Sequence, residues 1–140
     1  MRQALSGYRG TLGGTHESTV ACMCSLAGVL CQGMQLPESE DLYREALSVR
    51  REHLGESNPL TLVVMSKLGV VLRMQGKVTE AEELLRAAVA GFRVLNLSDE
   101  PTAESKYELG VLCRTVGNLE ESRSLLSESL ESRRDLFGSD

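Results

Sequence analysis

The sequence of 140 residues contains no tryptophan and no isoleucine, and aromatic residues make up only 4% of it. A core must therefore be built from leucine, valine, alanine and methionine, and leucine and alanine combined with glutamate and arginine favour helices. No apolar run approaches the roughly 18 residues of a membrane span. The first 14 residues also lack the apolar segment of a signal peptide. We therefore expect no membrane association.

Positive charge is in deficit as well. The chain has 15 lysine and arginine residues against 20 aspartate and glutamate residues, a net charge of −5, and its pI is about 5.1. Because binding to a phosphate backbone requires a basic field, nucleic acid is not expected as a main partner. The four cysteines do not make a disulfide framework in a chain of this size, which predicts a reducing, cytoplasmic setting.

Clusters of catalytic or metal-binding residues are also lacking. Cys22 and Cys24 lie roughly 200° apart around a predicted helix, so they could not hold one metal ion. Cys24 and Cys31 share a face but lie roughly 10 Å apart along the helix axis. No base with an orienting third group accompanies the cysteines, and no glycine-rich stretch cradles an anion. We predict no enzyme activity, no metal site and no cofactor.

What the sequence does contain is an internal repeat. Residues 42–47, LYREAL, align with residues 84–89, LLRAAV, at a shift of 42, and Pro59 aligns with Pro101 at the same shift. Residues 68–70, LGV, recur at 109–111, a shift of 41. A period near 42 with helical periodicity predicts an all-α solenoid of stacked helix pairs. A four-helix bundle with chance similarity is the alternative, and it leaves the shared register unexplained.

Within each repeat, apolar residues recur three and four places apart, as they do on one face of a helix. The predicted helices span about 1–12, 17–32, 36–53, 59–74, 78–95, 101–115 and 119–137. We assign 1–14 to the second helix of a leading repeat and divide the rest into three units, 15–56, 57–98 and 99–140. A second helix without its partner indicates a fragment of a longer array or a cap.

The turn inside the first unit is predicted to differ from the turn inside the second. Gly33 stands in the first turn, whereas the glycine of the second turn, Gly76, falls one place later in the repeat frame. Glycine is the residue that most readily takes the left-handed conformation at a helix end, so a displaced glycine indicates a different turn shape.

The segments LGVVLRMQGKVTEAEELLRAAV and GESNPLTL (Gly55–Leu62) resemble the 42-residue tetratricopeptide repeats of the kinesin light chain family. The resemblance covers essentially the whole chain. It implies a right-handed superhelix of antiparallel helix pairs that serves as an interaction domain. It also implies that Ala27, Gly69 and Gly110 lie where the two helices of each unit cross, since large side chains there would push the helices apart.

In tetratricopeptide folds the first helix of each unit lines the concave surface, and the resemblance places three residues of each unit there. The nine candidate partner-binding residues are Cys24, Gly28, Cys31, Ser66, Val70, Arg73, Tyr107, Val111 and Arg114. Arg73 and Arg114 are equivalent, so both are expected in one groove, where they would suit a peptide with an acidic and a bulky apolar residue. The alternative is that both arginines are solvated or paired with glutamates of the same chain.

The sequence therefore predicts a binding module that holds a segment of a protein partner in the concave groove. A structural spacer within a longer repeat array, with no ligand of its own, is the alternative. Because the terminal helices would each expose a face that stacking normally covers, self-association is a further expectation.

Overall fold

The computed structural model describes residues 2–11, 13 and 16–138, and these form helices and no strands. The predicted helices 17–32, 59–74 and 119–137 have the predicted bounds, and the predicted helices 36–53, 78–95 and 101–115 each differ by one residue at one end. The part of the first predicted helix that falls on Met1 and Leu12 lies outside the described residues. The helices are α1 (Arg2–Thr11), α2 (Glu17–Gln32), α3 (Leu36–Leu54), α4 (Pro59–Met74), α5 (Val78–Val94), α6 (Glu100–Thr115) and α7 (Leu119–Phe137).

The links between units end in helix caps that the sequence encodes. The side chain of Asn58 accepts a hydrogen bond from the amide of Leu60 at 2.9 Å, and Pro59 occupies the first turn of α4. Asp99 does the same for α6 by accepting from the amide of Thr102 at 3.2 Å. Each cap satisfies an amide that the helix itself leaves unpaired, which is why each new unit begins at these residues.

The predicted difference between the turns of the first and second units is wrong. Met34 has a φ of 62° at the position where the second and third units have Gly76, at 82°, and Gly117, at 91°. In all three turns the next amide donates to the carbonyl five residues earlier, at 2.8–2.9 Å. The shared hydrogen bonds therefore set the turn, and Met34 adopts the left-handed conformation that glycine takes elsewhere.

Helix packing follows the chain, since each helix packs against the next one and α4 also packs against α6. The first helices of the units, α2, α4 and α6, therefore make one layer, and the second helices make the other. Between the layers lies a continuous core. Its largest fully buried side chains include Phe92, Met23, Met65, Leu68, Leu72, Leu85 and Leu112.

Small residues allow close contact where the two helices of a unit cross. The hydroxyl of Ser39 donates to the carbonyl of Ala27 at 2.7 Å, and Ser122 donates in the same way to the carbonyl of Gly110. In the middle unit a Cβ on Gly69 would lie 2.8 Å from Cγ of Leu85, which is closer than packing allows. The predicted role of Ala27, Gly69 and Gly110 as crossing positions is confirmed.

Ion pairs recur at the repeat interval along the second helices. Each joins an arginine of one second helix to a glutamate of the next: Arg2–Glu38, Arg44–Glu80 at 2.8 Å and Arg86–Glu121 at 2.6 Å. These side chains are about one-third to three-fifths exposed, and exposed pairs contribute about 0–1 kcal/mol each. The pairs therefore help to align each unit with the next one and add little to the stability of the fold.

Candidate partner-binding groove

The candidate residues lie on α2, α4 and α6, the layer of first helices. Cys24, Gly28, Cys31, Val70, Arg73 and Val111 are half-buried, Tyr107 and Arg114 are exposed, and Ser66 is buried. The structure brings Gly28, Cys31 and Val70 together around one cleft of about 180 Å³ between α2 and α4. The cleft is also lined by Gln32, Tyr43, Lys67, Val71 and Glu104, which the sequence analysis did not include.

Ser66 points into the contact between α4 and α6. Its side chain is part of a residue only 5% exposed, and its hydroxyl shares a hydrogen bond with that of Ser105 at 2.9 Å. The prediction that Ser66 faces a partner therefore fails. The third unit covers this position, which the spacing within one helix does not reveal.

The two equivalent arginines differ in their surroundings. Nη2 of Arg73 lies 3.1 Å from Oε2 of Glu108 in the next unit, so the alternative of pairing within the chain holds for Arg73. Arg114 is exposed and forms no ion pair with any described residue. It lines a separate cleft of about 410 Å³ with Leu119 and Leu126. The two guanidinium groups therefore do not form the predicted pair of free cations in one groove.

Tyr107 belongs to the same end of the molecule as Arg114. Tyr107 is 42% exposed, and Cζ of Arg133 from α7 lies 5.5 Å from the centroid of its ring. This distance is within the range of a cation–π contact. The guanidinium group of Arg133 therefore lies over the Tyr107 ring, and the residue is still partly open to solvent.

A charged pair lines the cleft between α2 and α4. Nζ of Lys67 lies 2.9 Å from Oε1 of Glu104, which joins α4 to α6. Sγ of Cys31, another lining residue, lies 3.6 Å from Sδ of Met74 and joins α2 to α4. The lining of the cleft thus combines apolar side chains with an ion pair.

The floor of the cleft carries a buried phenol. Tyr43 is only 4% exposed, and its hydroxyl lies 3.5 Å from the point that a Cβ on Gly28 would occupy. No described residue hydrogen-bonds with this hydroxyl. Burial raises the pKa of Tyr43, so the hydroxyl keeps its proton at neutral pH.

Three of the four cysteines, Cys24, Cys31 and Cys113, are in their thiol form at neutral pH. Burial raises the pKa of Cys24 and of Cys31, and burial together with the neighbouring Glu121 raises the pKa of Cys113 to about 11. A thiol with a raised pKa is a poor nucleophile and a poor metal ligand. Among residues 2–11, 13 and 16–138, no three His, Cys, Asp or Glu side chains cluster as metal ligands would, and no helix is long and apolar enough to cross a membrane.

Two other clefts lie against the second helices. One of about 380 Å³ is formed by α1 and α3, with Leu5, Leu26 and Leu42 in its wall. The other, of about 450 Å³, is lined by charged residues of α3 together with Leu68. Neither contains any of the nine candidate residues.

Comparison with known families gives a direct result. The tetratricopeptide repeat family matches residues 24–93, and a second tetratricopeptide repeat family matches residues 102–140. The first match alone covers half of the chain. This chain belongs to the tetratricopeptide repeat family. As in other members, its stacked helix pairs form a scaffold of the kind that typically mediates protein interactions.

Solved structures share this tetratricopeptide fold at low sequence identity. The crystal structure of BtubC (BKLC) from P. vanneervenii has a TM-score of 0.83 and 19% identity and covers 99% of this chain. A putative kinesin light chain with nearly identical repeats from Podosopora anserina has a TM-score of 0.73 and 24% identity, also over 99%. The chain spans 56% and 66% of those two structures. No curated protein matches this tetratricopeptide repeat chain.

Proposed function

We propose that this tetratricopeptide repeat protein acts in the cytoplasm and binds an extended segment of a protein partner along its first helices. The observation that supports this most directly is the cleft between α2 and α4, whose walls include Gly28, Cys31 and Val70. A concave site lined by apolar side chains with a few polar and charged groups is the usual form of a ligand-binding site. The likeness to a putative kinesin light chain fold is compatible with such a role.

The chemistry of the proposed segment follows from the groups that remain free. An acidic residue of the partner would bind Arg114, because Glu108 already neutralises Arg73. A bulky apolar residue would pack on Tyr107, which is 42% exposed, and on the neighbouring Val111. The segment would therefore place its acidic and apolar residues toward α6 and extend over the cleft toward α2.

Selection from a random-peptide display library on the immobilised chain tests this proposal. We expect selected peptides to bind at least tenfold more weakly to Val70→Asp, because Val70 lines the cleft. The matched control is Val94→Asp, since Val94 is 84% exposed on α5 and lies outside the groove. This control should leave the affinity within twofold, and circular dichroism would verify that both variants fold.

The alternative of a structural spacer has its own support in the ion pairs that join one unit to the next. Lys67–Glu104 and Arg73–Glu108 both use groove residues for contacts within the chain. If no peptide is enriched over an empty support, or if enriched peptides bind Val70→Asp as tightly as the parent chain, the spacer is favoured and the groove proposal fails.

A further inference from the structure

The cleft between α2 and α4 depends on one glycine. In the repeat frame Gly28 corresponds to Val70 at a shift of 42 and then to Val111 at a shift of 41. The first unit therefore leaves open a space that a valine side chain fills in the other two units. A Cβ on Gly28 would meet only the Tyr43 hydroxyl, at 3.5 Å, so packing within the fold does not require glycine here.

The Tyr43 hydroxyl is also particular to the first unit. Its equivalents, at the same shifts, are Leu85 and Leu126, which have no polar atom. Tyr43 is 96% buried and its hydroxyl faces the cleft without a hydrogen-bond partner among the described residues. A neutral hydrogen bond contributes about 0.5–1.5 kcal/mol, so a group from outside that accepts this hydrogen bond in place of solvent would gain affinity.

Glu104 supplies a complementary acceptor. Its Oε1 accepts from Lys67 at 2.9 Å, whereas no described residue donates to its Oε2. The cleft is thus lined by a donor, the Tyr43 hydroxyl, and by an acceptor, the Glu104 carboxylate, together with the apolar side chains of Val70 and Val71. Its volume of about 180 Å³ equals the liquid volume of roughly six water molecules, which is room for one short polar side chain.

We infer that this cleft binds the primary amide of an asparagine or glutamine side chain in the partner segment. The amide oxygen would accept from the Tyr43 hydroxyl, and the amide NH₂ would donate to Glu104. A carboxylate would be repelled by Glu104, and a purely apolar side chain would leave the hydroxyl unpaired. This inference rests on the proposed function, since it names the side chain that the groove would recognise.

Titration with propionamide, followed by the backbone amide signals of isotope-labelled protein, tests the cleft without any peptide. We expect saturable shifts at Gly28 and Cys31. Tyr43→Phe should weaken binding about fivefold, the effect of losing one hydrogen bond, and Gly28→Val should abolish it by filling the space. Propionate, of similar size, is the matched probe and should bind at least tenfold more weakly, because Glu104 would repel its carboxylate.

Equal binding of propionamide to Tyr43→Phe, equal binding of propionate, or no binding of propionamide at all would overturn the inference. If Gly28→Val fails to fold, Tyr43→Phe alone decides, because it removes one atom that makes no hydrogen bond with the described residues. The proposed function is judged separately by the Val70→Asp comparison. Selected peptides that lose affinity for Val70→Asp but contain no asparagine or glutamine would support the groove proposal and contradict the amide pocket.

Discussion

At the scale of single residues, the left-handed conformation of Met34 costs stability that a substitution could recover. A residue with a Cβ at a φ of 62° is strained by about 1 kcal/mol or more relative to glycine. Met34 is 64% exposed, so replacing it removes little packing. We predict that Met34→Gly raises the free energy of unfolding by about 1 kcal/mol, measured by urea denaturation monitored by circular dichroism.

Gly76 provides the matched control for this prediction, because it occupies the same turn position in the second unit with a φ of 82°. A Cβ on Gly76 would meet no atom within 4 Å, so Gly76→Ala reports backbone strain alone. It should lower the free energy of unfolding by about 1 kcal/mol. A Met34→Gly protein less stable than the parent would contradict the account of the turn.

Residue patterns predict burial within one unit better than contacts between units. The inward positions of α2, Val20, Met23 and Leu26 among them, are buried as the periodicity indicates. Ser66 and Arg73 were placed on an open groove, yet Ser105 and Glu108 of the next unit cover or neutralise them. These partners lie 35 to 39 residues away, and no local pattern encodes how closely neighbouring first helices approach.

The cleft residues were partly accessible to sequence reasoning. Gly28 stands opposite valines in the other two units, and this substitution within the repeat frame could have indicated a gap. The role of Tyr43 could not be found in the same way, since it fits the inward stripe of α3 as an ordinary core residue. Only the position of its hydroxyl, 3.5 Å from the missing Cβ of Gly28, reveals that it faces the cleft.

At the scale of the helices, most helix ends lie where the capping and turn residues of the sequence predict them. The ends that differ from the prediction have local causes. Helix α5 ends at Val94 because Asn96 adopts a φ of 54° and Leu97 donates to the carbonyl of Phe92. In α1, Leu5 is buried but Tyr8, three residues later on the same side of the helix, is 40% exposed. This helix packs mainly on α2, so only one of its turns reaches the core.

Helix α3 is held to the turn between α4 and α5 by a single carboxylate. Glu40 is 8% exposed and accepts hydrogen bonds from Arg44, Gln75 and Lys77 at 2.7–2.9 Å. Burial opposes its charged form, but the hydrogen bonds from Lys77, Arg44 and Gln75 outweigh burial and lower the pKa of Glu40 to about 2. Ionised Glu40 thus joins the first unit to the second through charge-assisted hydrogen bonds, which are stronger than those of its protonated form.

This carboxylate predicts how stability depends on pH. Because the folded-state pKa of Glu40 lies below its ordinary value of 4.5, its contribution is complete above pH 4.5 and is lost as the pH falls toward 2. The loss amounts to about 3 kcal/mol at 1.36 kcal/mol for each pH unit. Glu40→Gln should therefore be less stable than the parent at pH 7 and should lose less stability between pH 4.5 and pH 2.

Thermal unfolding across this pH range would measure the difference between the two proteins. Glu38, Glu121 and Glu128 also have lowered pKa values, and they contribute alike to both, whereas Glu80 shares Arg44 with Glu40 and its pKa should fall further in Glu40→Gln. Glu83→Gln is the matched control, since Glu83 is exposed and forms no ion pair with any described residue. Parallel pH curves for the parent and Glu40→Gln would show that Glu40 does not join the two units as described.

At the scale of the whole molecule, one repeated position shows how stacking buries the second helices. Leu5, Leu47 and Val89 occupy it in α1, α3 and α5, and each is at most 5% exposed. Leu130 occupies it in α7 and is 52% exposed, because no further helix among the described residues packs on this side. Leu119, at 61%, and Phe137, at 74%, extend the same apolar surface.

We predict that this surface drives self-association at high protein concentration. Burying leucine side chains gains about 25 cal/mol for each Å² of apolar surface removed from water, and exposed apolar patches of this kind mark interaction sites. Sedimentation equilibrium should detect dimers of the parent chain.

The double variant Leu119→Lys/Leu130→Lys should be monomeric with an unchanged melting temperature, because both side chains are more than half exposed in the fold. Val94→Lys, which places the same charge on an 84% exposed valine of α5, should associate as the parent does. A parent chain that stays monomeric at high concentration would contradict the prediction of self-association. A double variant that still dimerises would show that the α7 surface does not drive it.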